Sequence, residues 1–210
     1  VAADVCAAGA TGVTTNNGDV DLVSTAGPIT LAQAVNTGAA STATVRLNSG
    51  GAVAQTAGGA GAITARDLAV VNAGTVDLGQ VANAVTRTFA AADTAAGASV
   101  SFVDAGSFAV GAVAADACAA GAAGVTATGN GDITLTAGND FTLPAGQTVQ
   151  GGGHVILTGG TNGTGAVITI QGTATGSTVS VNGGDGSDTF NITPGTTSAL
   201  NIDGNLPNPP

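Results

Sequence analysis

The stretch VAADVCAAGATGVT at residues 1–14 returns as VAADACAAGAAGVT at residues 113–126, and the likeness extends so that residues 1–31 resemble residues 113–143. Between and after these copies, short alternating apolar segments recur every eight to thirteen residues, with turns rich in Gly, Asn, Asp or Ala between them. Self-similarity on this scale is the mark of a stacked-repeat architecture, in which each unit buries its apolar face only against its neighbours.

The alternation has a period of two. In TATVRL at residues 42–47, Thr42, Thr44 and Arg46 take one side and Ala43, Val45 and Leu47 the other. The same spacing appears in Ile29/Leu31, Leu68/Val70, Val76/Leu78, Val100/Phe102, Phe108/Val110 and Ile133/Leu135. It continues through Phe141/Leu143, Val155/Leu157, Ile168/Ile170, Val179/Val181, Phe190/Ile192 and Leu200/Ile202. Such pairs mark half-buried strands. Turn dipeptides such as Asn17-Gly18, Asn162-Gly163, Gly183-Gly184 and Asp203-Gly204 make positive φ cheap. They could also close two-residue hairpins, which leaves an antiparallel sandwich as the competing architecture.

The repeat and the scarcity of aromatics favour an all-β parallel β-helix, a single elongated domain over residues 1–204 with a Pro-rich tail or linker at 205–210. With roughly 20 to 30 residues per coil, about seven to ten coils at ~4.8 Å spacing give a rod ~35–50 Å long.

Composition agrees. Gly occurs 35 times and aromatics make up 2%, while hydrophobic residues reach 43%, which suits a thin core between close-packed backbones. The sustained apolar pattern separates the chain from disordered sequences of similar Gly content. Its three basic residues, Arg46, Arg66 and Arg87, are scattered, and its 13 acidic residues are all Asp, for a net charge of -10. Phosphate-backbone binding needs clustered Lys or Arg, so nucleic acid is not an expected partner. No apolar run approaches the roughly 18 residues of a membrane-spanning helix, and membrane insertion is not expected. The absence of Met reads as a processed chain or a segment of a longer one.

Residues 61–70, GAITARDLAV, followed by AGTVDL at 73–78, carry a family resemblance, as do SFVDAGSFAVG at 101–111 and GDITLTAG at 131–138. These segments, within residues 13–181, resemble filamentous-haemagglutinin-like and autotransporter-type bacterial surface proteins. The resemblance implies a right-handed parallel β-helix on a secreted, repetitive protein used as an adhesin, stalk or fibre.

Several residues invite chemistry. GGDGSDTFN at 183–191 fits the calcium nonapeptide G-G-x-G-x-D-x-U-x, with Asp185 and Asp188 as oxygen ligands for Ca²⁺. A β-roll site is shared between successive nonapeptides, however, and a lone copy also reads as an Asx-stabilised turn. Cys6 and Cys118 hold equivalent places in the two repeat copies. If the 112 residues between them rise by four or five coils, they stand ~20 Å or more apart, beyond the roughly 7 Å between bridged Cα atoms. That spacing favours buried thiols in equivalent slots over an intersubunit bridge, and both over an intrachain bond. His154 reads as a turn or strand-edge residue, and Arg66-Asp67 as a solvated corner with a weak ion pair. Arg87 shares the phase of Val85 and Phe89, which points it inward unless its segment bends, and the alternation alone does not place it. Ala90 to Gly97 and Ala115 to Gly124 are Ala-rich enough for a short helical excursion from the coil rhythm.

The expectation is a secreted, non-enzymatic rod with no catalytic residues and no cofactor apart from the calcium motif. Its expected partner is itself, by end-to-end stacking or by continuation in a longer chain. Host or matrix glycans or proteins would be the partners of the alternative, an adhesive binding module. A polysaccharide-active β-helix enzyme is disfavoured by the absence of Lys and the scattered carboxylates.

Overall fold

Ile29, Val53, Val76, Val100, Ile133, Val155, Val179 and Leu200 lie one above another, each paired in parallel with the next. This eight-level ladder is one wall of a β-solenoid of about eight turns in the computed structural model, which describes residues 12–38, 40–58, 60–193 and 199–204. A second wall stacks Val20, Val45, Leu68, Phe89 and Val110. Most turns advance the chain by amounts like those separating Thr64 from Ala84 and Val35 from Ile63, 20 and 28 residues.

Every pairing of the main sheet is parallel, so the sandwich alternative is excluded. The alternation decides what each wall buries. Leu68, Val70, Val76, Leu78, Phe102, Leu135, Leu157 and Val181 are all fully buried, with the intervening side chains outside. Four of the five Phe residues meet in mid-rod: Phe89 and Phe102 stack at 4.0 Å, and Phe108 sets its ring perpendicular to both and nearly so to Phe141.

Where the chain bends between walls, buried polar side chains take up backbone groups that no strand satisfies. Asn83 accepts from the Ile63 N–H at 2.9 Å and from Gln55 Nε2 at 2.8 Å, and donates to the carbonyls of Leu78 and Val103. One level on, Asp104 accepts from the N–H groups of Val85 at 2.7 Å and Gly106 at 2.8 Å. Burial pushes its pKa up to about 6, against the pull of those two N–H groups.

The bend required at Arg87 is a bulge. Ala65 pairs Val85 and Asp67 pairs Thr88, so two residues face Arg66 alone and Arg87 turns outward. The reading of Arg66-Asp67 as a solvated corner is corrected here: Asp67 is 2% exposed and is held by both Arg66 and Arg87. Ala90 to Gly97 is no excursion either, since strand Val76–Asp93 runs through its first half.

Candidate functional site

The coil rhythm breaks at residues 111–124. Val110 pairs Phe89 and Val125 pairs Ala91, so fourteen residues are inserted opposite Ala90 alone. The excursion expected at 115–124 is therefore present, but it is not helical. Ala112–Val113 and Ala122–Ala123 pair antiparallel, the one such pair among the described residues. The resulting flap lies flat on the outside of the solenoid. Val113 and Ala122 pack over Ala69 and Ala90, beside Val71 and Ala92. Gly121 and Gly124 shape its return strand: a Cβ on Gly121 would lie 2.2 Å from the Val113 carbonyl oxygen, and Gly124 has φ of 69°.

The flap runs back toward the first coil. Asn48 exchanges hydrogen bonds with the backbone of Ala120, two levels before the strand that carries the insertion's neighbour Ala90. Beyond it, Arg46 forms a latch. Its Nε donates to the Ala114 carbonyl at 2.9 Å, and its Nη1 lies 3.2, 3.3 and 3.1 Å from carboxylate oxygens of Asp19, Asp21 and Asp116. Arg46 faces outward as its phase requires, yet the flap leaves it 6% exposed.

Three carboxylates around one guanidinium leave negative charge in excess. Burial and a hydrogen bond with Asp116 raise the Asp21 carboxyl above its usual range. The Cys118 and Ala119 N–H groups hold the Asp116 carboxyl below it.

Among the described residues, the carboxylates of Asp21 and Asp116 and Cys118 Sγ form the one group of three potential metal donors, within 4.8 Å of one another. Cys118 is exposed and its thiol is free, which corrects the expectation of a buried slot. It lines a hollow of about 500 Å³ together with Asp116 of the flap and Val13, Thr14, Thr15 and Asp21 of the first coil. Cys6 lies outside the described residues.

Comparison with protein-family models, curated proteins and solved structures found no match.

The two acidic residues of the nonapeptide do different things. Asp188 Oδ1 accepts from the Ala166 N–H at 2.9 Å, and its Oδ2 is buried against Gly183 with no hydrogen-bond partner. Asp185 is exposed and lines a shallow hollow with Thr158, Thr161 and Asp203. His154 begins strand His154–Gly159, where it is exposed and Nδ1 meets Thr178 Oγ1 at 2.7 Å.

The two ends are alike in one respect. Among the described residues, strands Val13–Thr14, Val20–Ser24 and Ile29–Leu31 are paired on one side only, as are Thr173–Thr175, Thr189–Ile192 and Leu200–Asp203 at the other end. Val13, Leu22 and Ile29 at one end, and Phe190, Ile192 and Leu200 at the other, cover the core only partly. Val13 and Val125, equivalent in the sequence repeat, stand on different ladders: Val13 leads to Val35 and Ile63, Val125 to Ala91 and Val149. The repeat is thus not one of simple translation along the rod.

Proposed function

We propose that this chain is a non-enzymatic structural rod of a bacterial extracellular fibre, matrix filament or adhesin stalk, continued end to end by another β-solenoid edge. The observation that carries the reading is that, among the described residues, the strands at each end are paired on one side only and stand beside partly buried apolar residues. An unpaired edge of this kind is a template for further strands, and stacking on it buries both the ladder groups and the apolar residues. The resemblance to surface-protein repeats supports an extracellular setting and agrees with the acidic exterior. Electron microscopy of the purified chain tests it. Filaments with an axial repeat of one subunit, roughly 40 Å for eight coils, support stacking; dispersed short rods at every concentration and salt condition count against it.

The alternative, an adhesive binding module, draws support from the flap, which interrupts the coil rhythm. Binding to glycans or matrix proteins that is lost when residues 112–123 are replaced by a short Gly linker would favour it.

A further inference from the structure

We infer that Asn130 is a site of spontaneous covalent modification, at which the side-chain amide is lost and the main chain is rerouted through an isoaspartyl linkage. The chain holds four Asn-Gly dipeptides, at residues 17–18, 130–131, 162–163 and 182–183. Asn is chemically labile, and a following Gly, with no side chain in the way, lets its own N–H swing onto the Asn carboxamide. The fold holds back three of the four. Asn17 Oδ1 accepts from the Thr42 N–H at 2.6 Å and from the hydroxyls of Ser41 and Thr42 at 3.1 Å, which keeps its carboxamide against the next coil. Asn162 Nδ2 donates to the Ala105 carbonyl at 2.9 Å and to Asn139 Oδ1 at 3.2 Å. Asn182 and Gly183 lie within strand Thr178–Gly183, paired with Thr158 and Gly159.

Asn130 has no such hold. It is exposed in the turn between strands Val125–Ala127 and Ile133–Ala137, and among the described residues neither its side chain nor the Gly131 N–H has a hydrogen-bond partner. A hollow of about 410 Å³ lined by Thr126, Thr128, Gly129 and Gln150 opens beside the turn, so water reaches it. In the reaction the Gly131 nitrogen attacks Asn130 Cγ. The new C–N bond closes a cyclic imide, the Cγ–Nδ2 bond breaks, and ammonia leaves with the Gly131 proton. Water then opens the imide. Addition at the Cγ carbonyl gives Asp; addition at the main-chain carbonyl leaves the chain running through Cγ, one backbone atom longer. The corner has no room for that atom. A Cβ on Gly152, in the turn one coil on, would lie 1.4 Å from the Gly129 carbonyl oxygen and 3.2 Å from Asn130 Cα. The Thr128 carbonyl accepts from the Gly97 N–H at 2.7 Å and the Gly131 carbonyl from the Gly153 N–H at 3.0 Å, so the coils on both sides are tied to this turn. Isoaspartate at 130 therefore loosens the stacking of three coils at once.

The test ages the purified full chain at physiological temperature and mildly alkaline pH, then locates acid and isoaspartyl products by fragmentation mass spectrometry of its peptides. Hydrogen bonds at the other sites must open before reaction there, so in the folded chain Asn130 should react about tenfold faster or more than Asn17, Asn162 or Asn182. In concentrated urea the four should react at similar rates, because the fold is what restrains three of them. Asn130→Gln, whose longer side chain must close a less favourable ring, should remove the product while the circular dichroism spectrum is unchanged. Asn130→Asp adds the charge without the extra backbone atom and should melt near the parent, whereas the aged, isoaspartate-rich chain should melt lower. Equal rates at all four sites in the folded chain, or faster reaction at any of the other three, overturn the inference. So does an Asn130 that stays intact in the folded chain and reacts only in urea, which would mean that the stacked turn withholds the Gly131 nitrogen. An isoaspartate-rich chain that melts with the parent refutes the loss of stacking.

Discussion

Arg87 grips Asp67 with two parallel hydrogen bonds, Nε to Oδ1 at 2.8 Å and Nη2 to Oδ2 at 2.7 Å. The pair crosses the bulge where two residues oppose Arg66, so the geometry that turns Arg87 outward also aims its guanidinium along the wall at a buried carboxylate one coil back. A carboxylate so enclosed needs its partner. Arg87→Ala is expected to lower unfolding free energy by about 1–2 kcal/mol, below the figure for a fully buried pair because Arg87 is exposed and Arg66 still contacts Asp67. Arg66→Ala should cost less. Urea denaturation of the two single variants and the double variant measures both values and their coupling.

Acid should first strengthen this protein and then weaken it. Asp104 titrates at about 6 in the folded chain because it is buried, and near 3.9 once unfolded. The folded state therefore takes up the proton first, and stability rises as pH falls from about 7 toward 4, by on the order of 2–3 kcal/mol. Burial raises Asp93 as well, and burial with the Asp116 hydrogen bond raises Asp21, so both act in the same direction. Asp67 acts oppositely. Burial would raise it, but hydrogen bonds from Arg87 and Arg66 prevail and hold it below the usual range, so its contribution is present above about pH 4 and lost below. Thermal melts across pH 3–8 should peak between about pH 4 and 5. Asp104→Asn, which carries no titrating proton and cannot accept from both Val85 and Gly106, should flatten the slope between pH 4 and 7 at a lower overall stability.

The walls were legible because half-buried strands write a period of two, and positions such as Val155/Leu157 and Val179/Val181 keep it without interruption. The flap was harder to read. Its signal lies in the bed beneath it: Leu68, Ala69, Val70 and Val71, like Phe89, Ala90, Ala91 and Ala92, are apolar in both phases. A strand apolar on both faces is covered on both faces. Alanine's small side chain and helix propensity masked that signal, and residues 115–124 looked helical for the same reason. The latch was hidden for another reason. Arg46 and Asp116 are seventy residues apart and meet only because the flap reverses, which no local pattern encodes. The bulge at Arg87 left a trace, the clash of its phase with Val85 and Phe89, but not the identity of the carboxylate it finds.

At the nonapeptide, Asp188 and Asp185 should separate a structural from a calcium-binding role. Asp188 Oδ1 holds the Ala166 N–H, so Asp188→Ala should cost about 1 kcal/mol in calcium-free buffer, and Asp185→Ala, at an exposed turn, should cost little. Melts with and without millimolar Ca²⁺ complete the comparison. A turn gives equal midpoints, whereas a calcium site gives an upward shift that both substitutions abolish.

The open ends supply the most direct test of assembly. Leu22 packs against the core from the first coil and Leu200 from the last described strand, and each leaves part of its apolar surface uncovered. A charge at such a position disfavours a second solenoid, because it would have to be desolvated against another copy's Leu or Phe, and natural sheet edges use charges for this purpose. Leu22→Asp and Leu200→Lys should each shorten or abolish filaments. The buried ladders between them should persist, so the circular dichroism spectrum remains that of the parent chain. Mixing supplies the decisive arm. If copies join head to tail, the Asp end of one variant and the Lys end of the other become complementary, and an equimolar mixture at low salt should form short assemblies that neither variant forms alone. Analytical ultracentrifugation reads that difference. Assembly of both single variants at the parent's concentration dependence would locate the contact elsewhere on the rod.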